Sequence, residues 1–153
     1  IAMLPYYCST QPEIIAYNNL PIAISDRNLI NVLSNLILPE DTENFPTMES
    51  RLDFVLTRVN DGFDSQEISD YLFGMTAFEN HVIATYGTPF EDLVTEDQLA
   101  CIGKTIDCSD EKSFFVSTIK RHSLRHFTTS ENYMKNYLNF EFMPGRYNGC
   151  VSV

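Results

Sequence analysis

Residues 63–87, FDSQEISDYLFGMTAFENHVIATYG, decide the fold class of this chain because they carry the signals of one long helix. Asp64 and Glu67 have the spacing of a capping box, in which two side chains satisfy backbone amides at a helix start. Gly87 has the position of the glycine that commonly follows the last helical turn. Gly74 weakens the helix by about 1 kcal/mol relative to Ala and marks a candidate close crossing with another helix. The stretch therefore predicts a single helix between Asp64 and Gly87.

The same helical signals continue on both sides of this stretch. In residues 29–37, apolar side chains recur every three or four positions, which is the period of one helix face. Further helix starts are predicted at Ser25, Thr47, Thr95, Asp110 and Thr128. Thr95 and Thr128 also have capping-box partners, Gln98 and Glu131. No strand pattern longer than a few residues occurs, so the predicted fold class is all-α, an irregular bundle of five or six helices.

Both ends of the chain lack this helical period. Residues 1–24 are predicted to form an extended N-terminal arm, residues 25–138 the helical domain, and residues 139–153 an extended C-terminal arm. Residues 1–7 begin with Ile rather than Met, and their apolar start is interpreted as the remnant of a signal peptide. The chain is therefore predicted to be exported.

The charge balance argues against some classes of partner. The chain has 10 Lys and Arg against 21 Asp and Glu, a formal net charge of -11. Phosphate backbones repel such a molecule on average, so nucleic acid is not a predicted partner. Residues 120–126 are a basic exception, interpreted as the C-terminal half of a helix, where cations suit the dipole. No run of roughly 18 apolar residues occurs, so no transmembrane segment is predicted.

His122 and His126 are the sharpest candidates for a metal site, because their spacing on a helix places both rings on one side. Zinc needs three or four ligands, so His81 or a carboxylate would have to complete the set. The alternative, which we favour, is that both histidines lie at the edge of the core. The chain also has no dinucleotide, P-loop or nucleophile-elbow motif. No catalytic or cofactor-binding residue is therefore predicted.

Four cysteines, Cys8, Cys101, Cys108 and Cys150, allow three fully paired disulfide arrangements. Disulfides are permitted in an exported protein. If Cys101 pairs with Cys108, Cys150 can pair with Cys8 and tie the two arms together. Otherwise Cys150 is available to a cysteine of a partner, and the sequence does not choose between these arrangements.

The C-terminal arm is the predicted partner interface. It combines aromatic residues with turn residues and an arginine, which resembles the composition of interface anchors. The predicted interface residues are Phe140, Phe142, Pro144, Gly145, Arg146 and Tyr147. The alternative is that the arm packs back onto its own helices, and both arrangements are compatible with the sequence.

Several short stretches occur in a characteristic order along the chain. They are ILPEDT at 37–42, YGTPF at 86–90, FF at 114–115, FTTSE at 127–131, YLNF at 137–140 and PGRYNGC at 144–150. Together they resemble the gluconate 2-dehydrogenase subunit 3 family over residues 26–151. The order of the stretches and the final one make the resemblance specific.

The resemblance implies a small, exported, non-catalytic subunit. Members of the family accompany a large FAD-dependent flavoprotein of the glucose-methanol-choline (GMC) type, which oxidises a sugar, sugar acid or glycoside. It further implies FAD in that partner and no cofactor in this chain, often a cytochrome c subunit as electron acceptor, and twin-arginine export to the periplasm or cell envelope. Two alternatives are a metal-assisted enzyme that uses His122 and His126, and an independent exported helical ligand-binding or envelope protein without a flavoprotein partner.

Overall fold

The computed structural model describes residues 17–138 and 140–141. These residues form six α-helices and one short 3-10 turn, and this part of the chain contains no strand. The helices are α1 (Ile24–Ile37), α2 (Arg51–Gly62), α3 (Ser65–Tyr86), α4 (Thr95–Ile106), α5 (Glu111–Thr128) and α6 (Glu131–Asn136), and the 3-10 turn is Phe90–Asp92. The predicted all-α bundle is confirmed.

The two predicted arms fall mostly outside the described residues. The extended conformation predicted for residues 1–16 and 142–153 therefore stays a prediction. Residues 17–23, the described end of the N-terminal arm, contain no helix. Among the helices between residues 24 and 136, none has the length and apolar composition of a segment that crosses a bilayer.

The centre of the bundle is the crossing of α3 and α5. Gly74 lies at this crossing, where an added Cβ would be 2.3 Å from the backbone oxygen of Glu111. The neighbouring rings are fully buried, and that of Phe115 lies 5.1 Å from Tyr71 and 5.9 Å from Phe78. Gly74 therefore does mark a close helix crossing, because only a residue without a side chain fits there.

The predicted ends of α3 are confirmed. The carboxylate of Asp64 accepts hydrogen bonds from the amides of Gln66 (2.9 Å) and Glu67 (2.8 Å). The carboxylate of Glu67 accepts in return from the amide of Asp64 (3.0 Å). Gly87 follows the last turn with a φ of 78°, in the left-handed region that favours glycine.

Two predicted helix starts lie a few residues before the observed ones. α2 begins after Ser50, whose hydroxyl oxygen accepts from the amide of Asp53 (3.1 Å), and not near Thr47. α6 begins after Ser130 and not at Thr128, because α5 continues through Thr128. In both places a serine nearer to the helix takes the capping role that was predicted for a threonine.

The predicted caps of two other helices are wrong. α4 begins at Thr95, but the carboxamide of Gln98 donates to a carbonyl of the preceding 3-10 turn (2.9 Å) and forms no capping box. Ser25 is not the cap of α1, because the helix already begins at Ile24. At this start, the carboxylate of Asp26 accepts from the amide of Ala23, one position before the helix (3.0 Å). The predicted cap at Asp110 is confirmed.

One side chain of α2 fastens the end of the N-terminal arm to the bundle. The carboxamide oxygen of Asn60 accepts from the amides of Asn19 (2.9 Å) and Leu20 (3.1 Å). The carboxamide of Asn19 donates in return to the carbonyl of Asn60 (3.1 Å). Leu20 is held in the core by this arrangement, with 1% of its surface exposed.

Candidate partner-binding surface

A groove of about 740 Å³ opens where the end of α5 and α6 meet α2. We call it the C-terminal groove, and it is lined by residues 46–49, Phe54, Arg58, His126, Thr129, Glu131, Met134, Lys135 and Phe140. Its volume is in the range that holds a small ligand or a few side chains of another segment. Of the predicted site candidates within residues 17–138 and 140–141, two line this groove, His126 and Phe140.

The floor of the C-terminal groove combines an aromatic ring, an imidazole and a guanidinium. The ring of Phe54 lies 5.2 Å from that of His126. The guanidinium carbon of Arg58 lies 4.9 Å from the centre of the Phe54 ring, which is a cation–π distance. Nε2 of His126 lies 3.0 Å from the carbonyl oxygen of Glu49, so this nitrogen must carry the proton to donate the bond. These contacts hold the floor in place.

α6 forms one wall of the groove, and aromatic contacts hold it against the bundle. None of its residues is buried. The ring of Tyr133 lies 5.2 Å from Phe127 and stacks on Tyr137 at 5.3 Å. Phe45, from the loop before α2, lies 4.7 Å from Phe127. The wall is therefore attached by ring contacts at the surface and not by core packing.

The rim of the groove exposes apolar side chains. Met48 is fully exposed, and 49% of the surface of Phe140 is in contact with solvent. Tyr137 and Leu138, which precede Phe140 in the chain, are 64% and 57% exposed. The amide of Phe140 donates to the carbonyl of Met134 (2.9 Å), so Phe140 is held close to α6. Clustered apolar side chains at a surface are typical of interaction sites.

Only one predicted interface residue, Phe140, belongs to the described part of the chain. The remaining five lie outside it: Phe142, Pro144, Gly145, Arg146 and Tyr147. Their role as an interface stays a prediction. The floor and one wall of the groove were not predicted, because nothing in the sequence connects α2 with α6. These parts include Phe54, Arg58 and Met134.

The two candidate metal ligands lie at the edge of the core. His122 is 7% exposed and His126 is 4% exposed. Burial first, and then the positive charges of nearby arginines, lower the pKa of His122 to about 4. His81, a candidate third ligand, is exposed on α3. Within residues 17–138 and 140–141, no three His, Cys, Asp or Glu side chains form a group that could hold a metal ion.

A small cavity beside the groove is lined by a buried arginine side chain. Arg51 is 3% exposed, with Nε 3.9 Å from the carboxylate of Glu40 and a terminal nitrogen 3.5 Å from the carbonyl of Ser34. Among the described residues, Nε of Arg51 and Nδ1 of His126 find no hydrogen-bond partner, and both residues line a cavity of about 10 Å³. Since this volume fits about one water molecule, the cavity is too small for a substrate.

Cys101 and Cys108 are free thiols in this structure. Cys101 is buried in α4, and burial raises the pKa of its thiol. Cys108 is exposed just beyond α4, where its sulfur donates to the carbonyl of Lys104 (3.2 Å). Disulfides that involve Cys8 or Cys150 lie outside the described residues and stay predictions.

A family model described as gluconate 2-dehydrogenase subunit 3 matches residues 25–145. This range includes α2 to α6, nearly all of α1 and every residue that lines the C-terminal groove. No curated protein and no solved structure matches the chain.

Proposed function

The chain belongs to the gluconate 2-dehydrogenase subunit 3 family, and from this premise we propose that it is the non-catalytic small subunit of an exported dehydrogenase complex. It binds and stabilises a large FAD-dependent flavoprotein of the GMC type and supports the export of that protein. The flavoprotein oxidises a sugar, sugar acid or glycoside, of which gluconate is the first candidate. FAD resides in the partner, a cytochrome c accepts the electrons, and the complex works in the periplasm or cell envelope.

The match over residues 25–145 is the observation that carries this proposal. The exposed apolar side chains after α6 support the binding role. Tyr137, Leu138 and Phe140 expose between 49% and 64% of their surface, whereas apolar side chains packed into a core expose almost none. A net charge of -11 opposes self-association through such a patch. The patch would lose contact with water when a second polypeptide covers it.

Polar side chains of the bundle, including the candidate metal ligand His126, have structural tasks. His126 bonds to the backbone of Glu49. Asp64 and Asp110 cap α3 and α5. These tasks support a subunit whose contribution is binding, while the reaction takes place in its partner.

Affinity purification of the full chain from the envelope of its native host tests the proposal. We expect a large yellow polypeptide with the absorption spectrum of FAD to be recovered with it. Leu138→Glu places a charge on the exposed patch and should lower the yield of the flavoprotein several-fold, because burying an unpaired carboxylate is costly. Phe73→Glu, which adds the same charge at a side chain on α3 that is 60% exposed, is the matched control.

Two results would contradict the proposal. One is recovery of the intact chain without any flavoprotein under mild conditions, which would favour an independent envelope protein. The other is turnover of a sugar by the purified chain alone, which would make it an enzyme.

A further inference from the structure

We propose that the C-terminal groove is the docking site of this chain's own segment 142–153. The groove is defined by described residues, and its rim includes Phe140, two positions before the segment starts. The bond from the amide of Phe140 to the carbonyl of Met134 fixes where the chain leaves α6. The inference concerns the isolated chain and does not depend on the proposed function.

The tether favours this occupant over a separate molecule. A segment that begins at the rim has an effective concentration in the millimolar range, which a free partner rarely reaches. Twelve extended residues span up to about 40 Å, so the segment can cross the groove from its start at residue 142.

The charged side chains of the groove balance one another, which suits a segment with few charges. Glu49 and Glu131 are balanced by Arg58 and Lys135 around the groove, and Lys135 forms an ion pair with Glu131. The segment FMPGRYNGCVSV contains one charged side chain, Arg146, in a chain of which 20% is charged. A nearly uncharged segment meets little electrostatic cost in a charge-balanced groove, whereas the acidic remainder of the chain would be repelled by another copy of itself.

The walls of the groove suit aromatic side chains. Met48 and Met134 lie among its lining residues, and methionine adapts its shape to irregular partners and contacts aromatic rings favourably. The segment supplies Phe142 and Tyr147. Docking would also cover Met48, which is fully exposed in the described structure.

Tryptophan fluorescence of the full chain tests the inference, because the natural sequence contains no tryptophan. In the variant Phe142→Trp, we expect a blue-shifted emission and several-fold weaker acrylamide quenching than in the same variant unfolded in guanidinium. The variant Tyr147→Trp repeats the measurement at a second position of the segment. Both signals should be independent of protein concentration, because the docking is intramolecular.

A second substitution identifies the groove as the docking site. Met48→Glu, added to Phe142→Trp, places a carboxylate on the rim and should shift the emission to the red and increase quenching. Phe73→Glu, which is outside the groove, should leave both signals unchanged. Emission of an exposed tryptophan in the parent variants, or indifference to Met48→Glu, would overturn the inference. Protection that appears only at concentrations where sedimentation detects dimers would assign the groove to a second copy and would also overturn it.

Discussion

The α3–α5 crossing and the C-terminal groove are the two extremes of packing in this molecule. At the crossing, Tyr71, Phe78 and Phe115 are fully buried around a glycine that leaves no room for a side chain. At the groove, α6 has no buried residue, and the chain after it exposes Phe140. The stability of the bundle is therefore concentrated at the crossing. The groove end can present apolar surface because the fold does not depend on it.

The largest effect should come from a substitution at the crossing. In Gly74→Ala the new methyl group would meet the backbone oxygen of Glu111, which no side-chain rotation can relieve. We expect the free energy of unfolding to fall by about 3 kcal/mol, at the upper end of the usual cost of overpacking. Urea denaturation followed by circular dichroism measures the change.

Gly103→Ala provides the matched control within α4. A Cβ at Gly103 meets nothing within 4 Å, so the substitution should raise the free energy of unfolding by up to about 1 kcal/mol through helix propensity alone. If both alanine variants changed stability equally, the crossing would not be the tightly packed site described here.

A smaller effect is expected for His122, which lies between the two regions on α5. Burial and the charges of Arg121, Arg125 and Arg58 lower its pKa from 6.5 to about 4 in the folded state. The unfolded chain therefore binds a proton on His122 before the folded chain does. The stability associated with this group is complete above pH 6.5 and is lost as the pH falls toward 4, by on the order of 2 kcal/mol.

Replacing this histidine tests the assignment of the pH dependence. His122→Leu should flatten the loss of stability between pH 6.5 and pH 4 when denaturation midpoints are compared across that window. His81→Leu removes an exposed imidazole of α3 and keeps His122, so the parent pH dependence should persist. An unchanged slope in His122→Leu would assign the effect to other groups.

The smallest change in the free energy of unfolding is expected from substitutions at two helix caps. Asp64→Ala removes the cap of the central helix α3 and should lower the free energy of global unfolding by about 1 kcal/mol. Ser130→Ala removes the cap of α6, which should open locally and leave the global midpoint nearly unchanged. Hydrogen exchange should then report faster exchange of the α6 amides in Ser130→Ala, with the α3 amides unaffected. Equal shifts of the global midpoint would mean that α6 unfolds together with the core.

The part of the fold that local signals determine was predictable. The box of Asp64 and Glu67 and the glycine at 87 describe α3 correctly, because each of these interactions lies within one helix turn. The helix start at Thr95 was predicted correctly, but the capping boxes predicted at Thr95 and Thr128 do not form because neighbouring groups make other contacts. Gln98 reached a carbonyl of the 3-10 turn, and α5 ran on through Thr128 to a serine cap.

The candidate site was less predictable because its parts are distant in the sequence. The aromatic composition after α6 indicated an interaction surface, and Phe140 does lie on the rim of the groove. The floor, however, depends on Phe54 of α2 meeting His126 of α5, a contact between residues far apart in the chain. No periodicity or short motif encodes which helices are neighbours. The burial of Leu20 likewise depends on Asn60, a residue far along the chain, so no local pattern predicted it.

The carboxamide of Asn60 also sets the register of the chain that enters α1. It accepts from two consecutive amides, those of Asn19 and Leu20, so it recognises one alignment of the arm. Insertions or fusion tags placed ahead of Tyr17 keep that alignment and should be tolerated. An insertion between Leu20 and Ile24 would either pull Leu20 from its site or displace the first turn of α1. Length variation is therefore compatible with the fold on one side of this contact and not on the other.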